Sequence, residues 1–265
     1  MHAHFLDPFK PRLSPVHQLD ARLKVPLVIV FILATSLVPI GAWPFYLLLI
    51  AVLLSSEILS DLGVLFFLKR AVLALPFVLA ALPVLFTQVG TVWISLPFGL
   101  AITAQGVERF ISVALKAWIS IQAAILLAST TPFPDILLAL RAMRLPKVLV
   151  SIIGLMWRYL FVIVDETIRM MNARSSRSGA SSDPSHRQGG SVVWRAKVTG
   201  GMAGNLFIRS IERSDRIYHA MLSRGYDGEI RHLPLPAIPS IQWWIFIWSL
   251  LTLVVMVVLS RVLWG

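Results

Sequence analysis

The chain has 265 residues, of which 57% are hydrophobic and only 14% charged, and its mean hydropathy is +0.78. A soluble domain carries about 25% charged and about 45–50% apolar residues, so this composition excludes an ordinary soluble protein. The net charge is +11, from 24 Lys+Arg against 13 Asp+Glu, and its placement along the chain sets a membrane orientation rather than a nucleic-acid surface. There is no Cys, which excludes a disulfide framework, a Cys-ligated zinc and a cysteine nucleophile. The first 24 residues hold Pro8, Pro11, Pro15 and charges but no apolar run, so no cleavable signal peptide is expected there.

A spanning helix needs roughly 20 mostly apolar residues. Five stretches are read as spans. The first runs from Val25 to Val38 and on through Pro39–Trp43, the second from Pro44 to Leu59. The third, Ala71 to Val89, contains Pro76 and Pro83, which neighbouring helices can accommodate. The fourth is Gly106 to Thr130, and the fifth Ile241 to Trp264, opened by Trp243, Trp244 and Trp248 as an aromatic belt. The expected division is an arm over 1–24, four spans over 25–130, a helical insert over 131–239 and a last span over 240–265.

Loop charges orient these spans. The N-terminal arm carries Lys10, Arg12, Arg22 and Lys24, and the second connection carries Lys69 and Arg70. The connections Pro39–Pro44 and Gly90–Gln105 hold no Lys or Arg. From Arg141 to Arg231 there are 15 basic residues against 7 acidic ones. The pattern places the N-terminus and the insert in the cytoplasm and the C-terminus, with Arg261, outside.

The insert reads as three helices. Pro134-Asp135 opens a short amphipathic run that Pro146 stops. A second helix spans about Lys147 to Arg174 and a third about Ser191 to Arg224, joined by a polar linker, Ser175–Pro184. Val148–Val164 is apolar enough to pass as a span, but Arg158 interrupts it. If it crossed, the basic stretch after it would lie outside, so it is read as a helix at the cytoplasmic interface. Gly200 and Gly204 form a G-x-x-x-G pair on the third helix, which points to a close helix crossing.

No phosphate loop, His-Glu-x-x-His, Gly-x-Ser-x-Gly or usefully spaced carboxylate pair appears. Asp165 and Glu166 are chain neighbours and leave a helix on different faces, as an interfacial charge pair rather than a dyad. His2 and His4 sit at the terminus with no further ligand pattern, so no metal site is assigned. Arg174 and Arg224 each fall in a last helical turn, where a cation complements the helix dipole, and Gly225 is the expected left-handed residue that ends the third helix. The two arginines are read either as plain caps or as a pair delivered to an acidic partner groove, for which the guanidinium fork is suited. Glu108, Arg109 and Lys116 in the fourth span leave open a stand-alone carrier or channel with an ion path; a membrane enzyme finds no site motif.

Several ordered motifs resemble the T component of energy-coupling-factor (ECF) transporters of the CbiQ type. His17-x-Leu19-Asp20-x-Arg22-x-Lys24 resembles that family's N-terminal motif. Thr130-Thr131-Pro132, with Leu145-Pro146 beyond the following helix, is similar to its next landmark. Arg158-Tyr159 with Glu166 resembles the pattern of its first coupling helix. Ala173-Arg174-Ser175 and Ser223-Arg224-Gly225 resemble its paired X-R-X signatures, although members often carry Ala-Arg-Gly.

The resemblance implies an all-α integral membrane scaffold whose two long coupling helices cross. It implies two ABC-type ATPase subunits, each docked by one X-R-X arginine, a CbiM-like substrate-binding S component and a small accessory membrane subunit as partners. It implies no nucleic acid, no catalysis and no cofactor of the chain's own, with ATP and Mg used by the ATPases, in a bacterial inner membrane. The segment Leu222–Gly228 resembles cobalt or nickel systems more than vitamin systems.

Overall fold

The computed structural model describes residues 8–87, 91–95, 101–177, 191–228 and 236–264. Its elements in chain order are α1 (Pro15–Gln18), α2 (Ala21–Leu37), α3 (Trp43–Leu59), α4 (Val64–Arg70), α5 (Leu75–Ala80), α6 (Val84–Thr87), β1 (Val92–Ser95) and β2 (Ala101–Thr103). These are followed by α7 (Ala104–Thr130), α8 (Phe133–Ala142), α9 (Lys147–Arg177), α10 (Val192–Leu222) and α11 (Ser240–Trp264). The chain divides into two compact units, Pro8–Met143 with Leu235–Gly265, and Arg144–Pro234.

In the first unit, α2 packs against α7, α8 and α11, while α7 also meets α3 and the segmented stretch α4–α6. The core is apolar and continuous: Val28, Phe31 and Ala34 from α2, Phe45, Tyr46, Leu49 and Leu53 from α3, Ile119 and Ala123 from α7, and Leu253 from α11. The outward faces are equally apolar. Leu47, Trp244, Trp248 and Val262 are each at least 60% exposed, a surface that suits lipid and not water. The protein is an all-α integral membrane protein, with one small antiparallel ladder pairing β1 with β2.

By length and composition four stretches can cross a bilayer: Val64–Thr87, Ala104–Thr130, Lys147–Arg177 and Ser240–Trp264, with Trp43–Leu59 a shorter apolar helix. The helices α2 and α3 have 17 residues each, near the lower limit for a span.

Four local features depart from the sequence reading. The first apolar stretch ends as a helix at Leu37, and 38–42 form the turn into α3 instead of extending the span. The third apolar stretch begins at Val64 rather than Ala71 and is broken into α4, a 3-10 turn (Ala71–Ala74), α5 and α6. Pro76 opens α5 and Pro83 precedes α6, and each lacks the N–H that would continue a helix through it; Val89 lies outside the described residues. The connection read as a loop before the fourth span holds the β1–β2 ladder. And α8 ends at Ala142, four residues short of Pro146, through Met143 and a left-handed Arg144 at φ +64°.

The second unit contains α9 and α10. The former runs to Arg177, three residues beyond the expected end, which absorbs Ser175, Ser176 and Arg177 of the predicted linker. The rest of that linker lies outside the described residues. Ser191 caps α10 by accepting from the Trp194 amide at 3.2 Å. One groove is lined by Ile152–Ile163 and Ser210–Tyr226, and another by Glu166–Arg177 and Trp194–Arg209, so the two helices pack antiparallel.

Candidate functional site

The inward stripe of α10 is Val198, Met202, Leu206, Ser210, Arg213, Ile217 and Met221, a half-buried row at spacings of three and four. This stripe sets the helix pair. Near its middle, Glu166 of α9 accepts from Arg209 Nη1 at 3.2 Å and from Arg213 Nη2 at 2.8 Å. Asp165 is therefore not its partner; the interfacial charge pair predicted at Asp165-Glu166 is an interhelical clamp made by Glu166. Arg209 and Arg213 went unassigned in the sequence, although their i, i+4 spacing puts them on one face of a helix.

Gly200 and Gly204 lie about half a turn off the stripe. A Cβ built at either, or at Gly201, meets nothing within 4 Å. The close crossing expected at the G-x-x-x-G pair is not formed between α9 and α10, because the 3.6-residue period turns these glycines to the opposite face.

Arg174 sits in the last turn of α9, and its Nη1 donates to Thr199 Oγ1 of α10 at 3.0 Å. Thr199 Oγ1 in turn donates to the Arg195 carbonyl at 2.8 Å, so the hydroxyl proton is committed and a lone pair faces Arg174. Ala173 lines the same groove, and Ser175 Oγ donates back to the Asn172 carbonyl.

Arg224 is held by backbone instead. Gly225 N–H donates to Leu222 O at 2.9 Å and Tyr226 N–H to Met221 O at 3.0 Å, the paired bonds of a Schellman cap. That geometry needs a left-handed residue, and Gly225 has φ +79°, as its sequence position predicts. Ser223 Oγ donates to the Ala220 carbonyl, and the Arg224 side chain is exposed at the helix end. Thr199 contacts Arg174, so the two arginines are separated by roughly 37 Å along α10 at 1.5 Å per residue.

The N-terminal motif forms a junction within the first unit. Ser14 caps α1, and His17 Nε2 donates to the Lys10 carbonyl at 3.0 Å, leaving Nδ1 to accept from Ser14 Oγ at 2.7 Å. Asp20 caps α2 and binds Arg22 at 2.7 Å; the Asp20 amide donates to Gln242 of α11 at 3.0 Å. Lys24, 4% exposed, donates to Thr130 O and Thr131 Oγ1. The residues that carried the resemblance thus join the start of α2 to the end of α7 and the start of α11. The hydrogen bonds from Arg22 hold the Asp20 carboxyl below the usual carboxylate range. Burial and the nearby Asp20 push Asp135 up.

The two cations of α7 also have partners. Lys116 Nζ donates to the carbonyls of Ser36 and Val38, at 2.9 and 2.6 Å, capping the C-terminus of α2. Ser112 accepts from the Gly41 amide at 3.4 Å, and a Cβ at Gly41 would collide with the Glu108 carboxylate. Glu108, Ser112 and Lys116 are spaced four apart and share one face of α7, which holds the α2–α3 turn. Arg109 also has a partner. Glu57 and Gln122, which the sequence reading did not single out, are fully buried without a hydrogen-bond partner. No cluster of three or more metal-ligating side chains occurs among the described residues; His2 and His4 lie outside them.

These observations define the class first: a multi-pass helical membrane protein that also carries an antiparallel helix pair with an arginine toward each far end. The chain belongs to the cobalt transport protein family CbiQ, whose profile matches residues 13–235. It is similar to the energy-coupling factor transporter transmembrane protein EcfT of Ruminiclostridium cellulolyticum, with 30% identity over 230 residues, covering 83% of this chain and 82% of that one. It is 29% identical over 163 residues to the cobalt transport protein CbiQ of Rhodobacter capsulatus, covering 62% of this chain and 61% of that one. An uncharacterized protein of Methanocaldococcus jannaschii is 31% identical over 150 residues, covering 57% of this chain; the match spans about half of that relative, 53%.

Proposed function

We propose that the chain is the transmembrane coupling subunit of an ATP-driven ECF-type importer, linking two ATPase subunits to a substrate-binding membrane subunit in the bacterial cell membrane. In this reading the N-terminus, α9 and α10 are cytoplasmic, and hydrolysis belongs to the ATPases. Cobalt is the proposed substrate, from the family's description as cobalt transport proteins and the CbiQ relative, with nickel as its chemical neighbour. A vitamin importer is the second reading, favoured by similarity to a relative named EcfT, a name that specifies no metal.

The observation that carries the proposal is the separation of Arg174 and Arg224 along a clamped helix pair. A rigid beam with one guanidinium near each end suits two separate docking sites and transmits motion at one end to the other. Removing one member of a buried charge-paired contact costs about 2–5 kcal/mol. Arg174→Ala and Arg224→Ala therefore each weaken ATPase co-purification, and the double variant abolishes ATP-dependent cobalt uptake while the membrane unit stays folded. Lys at either position restores only part of the activity, because it lacks the planar fork. Full uptake and normal ATPase stoichiometry in the double variant would leave both arginines as helix caps and overturn the reading.

A further inference from the structure

Phe66 is approached by two cations from different parts of the first unit. Lys10 Nζ of the N-terminal arm lies 4.4 Å from its ring centroid, and Arg70 Cζ, one turn further along α4, lies 4.3 Å from it. The two charges are therefore closer together than the roughly 10 Å over which about 0.1 M salt screens them. Both ring and lysine are held in place. Phe67 is fully buried and meets Phe66 edge-on, with 5.2 Å between centroids. The Lys10 amide donates to Ser129 O at 3.0 Å, and the Lys10 carbonyl accepts from His17. Among the described residues neither Lys10 nor Arg70 forms an ion pair, and the exposed Asp61 before α4 pairs with neither. An aromatic face attracts a cation, but two like charges on one ring repel each other. An anion between them replaces that repulsion with two attractions.

We propose that Lys10 and Arg70, gathered on Phe66, bind the phosphate of an anionic phospholipid headgroup. The guanidinium offers paired donors to phosphate oxygens, and the ammonium adds a compact charge beside it. Three observations make a lipid the occupant rather than free phosphate. Arg70 closes α4, the first segment of Val64–Thr87, a stretch long and apolar enough to cross a bilayer. Leu13 is 93% exposed, and Leu65 and Leu68 are exposed on α4, so apolar surface for acyl chains lies next to the cations in the chain. Arg12 and Lys69 are also exposed and add charge of the same sign, the pattern that draws anionic lipid to a basic segment bordering a span. Free phosphate would use neither the apolar surface nor the span. The site is independent of the coupling function proposed above. When filled, it ties the N-terminal arm to α4 through the lipid, so the anionic lipid content of the membrane sets how firmly the arm is held.

The test uses the full-length chain in neutral detergent, titrated with phosphatidylglycerol or with phosphatidylcholine of the same acyl chains, and counts bound lipid by native mass spectrometry. Phosphatidylglycerol binds about tenfold more tightly than phosphatidylcholine. Lys10→Gln with Arg70→Gln lowers phosphatidylglycerol affinity by about the same factor and leaves phosphatidylcholine unchanged. Lys197→Gln with Arg216→Gln makes the same change in net charge on α10 and leaves both affinities within about twofold. Phe66→Leu keeps the apolar bulk but loses the ring face that gathers the cations, so it weakens phosphatidylglycerol binding, and Phe66→Tyr restores it. Equal affinity of the wild-type chain for the two lipids would overturn the proposal, and that comparison needs no substitution. Equal losses from the two double variants, or none from either, would reduce the effect to overall charge and overturn it as well. Displacement of bound phosphatidylglycerol by inorganic phosphate, at an ionic strength where chloride displaces none, would make this a site for a soluble anion and overturn the assignment to lipid.

Discussion

Glu166 Oε2 accepts from Arg213 Nη2 at 2.8 Å, and its other oxygen accepts from Arg209, so one carboxylate ties α9 to two positions of α10. The Glu166 side chain is 13% exposed, which limits screening by solvent, while Arg209 is largely open to it. The clamp sits between the two grooves, where a change in the angle between the helices would have its pivot.

Glu166→Ala therefore destabilises the helix pair by about 1–2 kcal/mol, between the value of an exposed ion pair and that of a buried charged hydrogen bond. A thermal-unfolding cycle with Glu166→Ala, Arg213→Ala and the double variant measures it. Non-additivity is expected, since each single change removes the same contact. Additive effects would show that the pair contributes nothing to the packing of α9 on α10.

The Asp20–Arg22 pair at the start of α2 has a pH signature. Asp20 is held below the ordinary carboxylate range by Arg22. A depressed native pKa contributes stability that is fully present above the unfolded-state value and is lost as pH falls through the native one. Wild-type stability accordingly declines as pH drops below the ordinary carboxylate range. Asp20→Asn keeps a side-chain oxygen for the N-cap but removes the charge, so it starts less stable and loses less over the same interval. Parallel pH profiles for the two proteins would remove Asp20 as the cause.

The glycines of α10 give a prediction opposite in sign to the one a close crossing implies. Nothing within 4 Å would meet a Cβ at Gly200 or Gly204, and both are helical with ordinary φ. Gly costs about 1 kcal/mol relative to Ala in a helix. Gly200→Ala and Gly204→Ala should each stabilise the isolated chain by up to about 1 kcal/mol, read as a rise in unfolding temperature. A fall in stability would restore the crossing at these positions.

What the sequence made legible followed from strong local chemistry. Gly225 was readable because a glycine after an arginine-ended helix has one common use, and Arg174 fell in the last turn as expected. The glycine crossing was misread because spacing alone does not say which face a G-x-x-x-G pair occupies; the apolar stripe through Met202 and Leu206 does. The breaks in α4–α6 were hidden by continuous hydropathy, since Pro76 and Pro83 are tolerated in spans and still interrupt their hydrogen bonds. Thr199 carried no signal of its own, because its role depends on a partner 25 residues away in the chain. Lys116 looked like an intramembrane charge until the orphan carbonyls at the end of α2 were located.

The remaining prediction concerns α9, which is long and apolar enough to cross a bilayer yet is read as cytoplasmic. Its half-buried Glu166 is paired with Arg209 and Arg213 of α10, a helix rich in charged residues. If α9 crossed, the basic stretch that follows would lie on the outer side against the charge rule. The native chain has no Cys, so single cysteines report the side directly. Thr91→Cys lies in a connection without Lys or Arg, and a membrane-impermeant thiol reagent should label it from outside intact cells. The same reagent should miss Ser181→Cys until the cells are permeabilised. Labelling of Ser181→Cys from outside would make α9 a span, place the region between α9 and α10 outside the membrane, and remove Arg174 from the reach of any cytoplasmic ATPase.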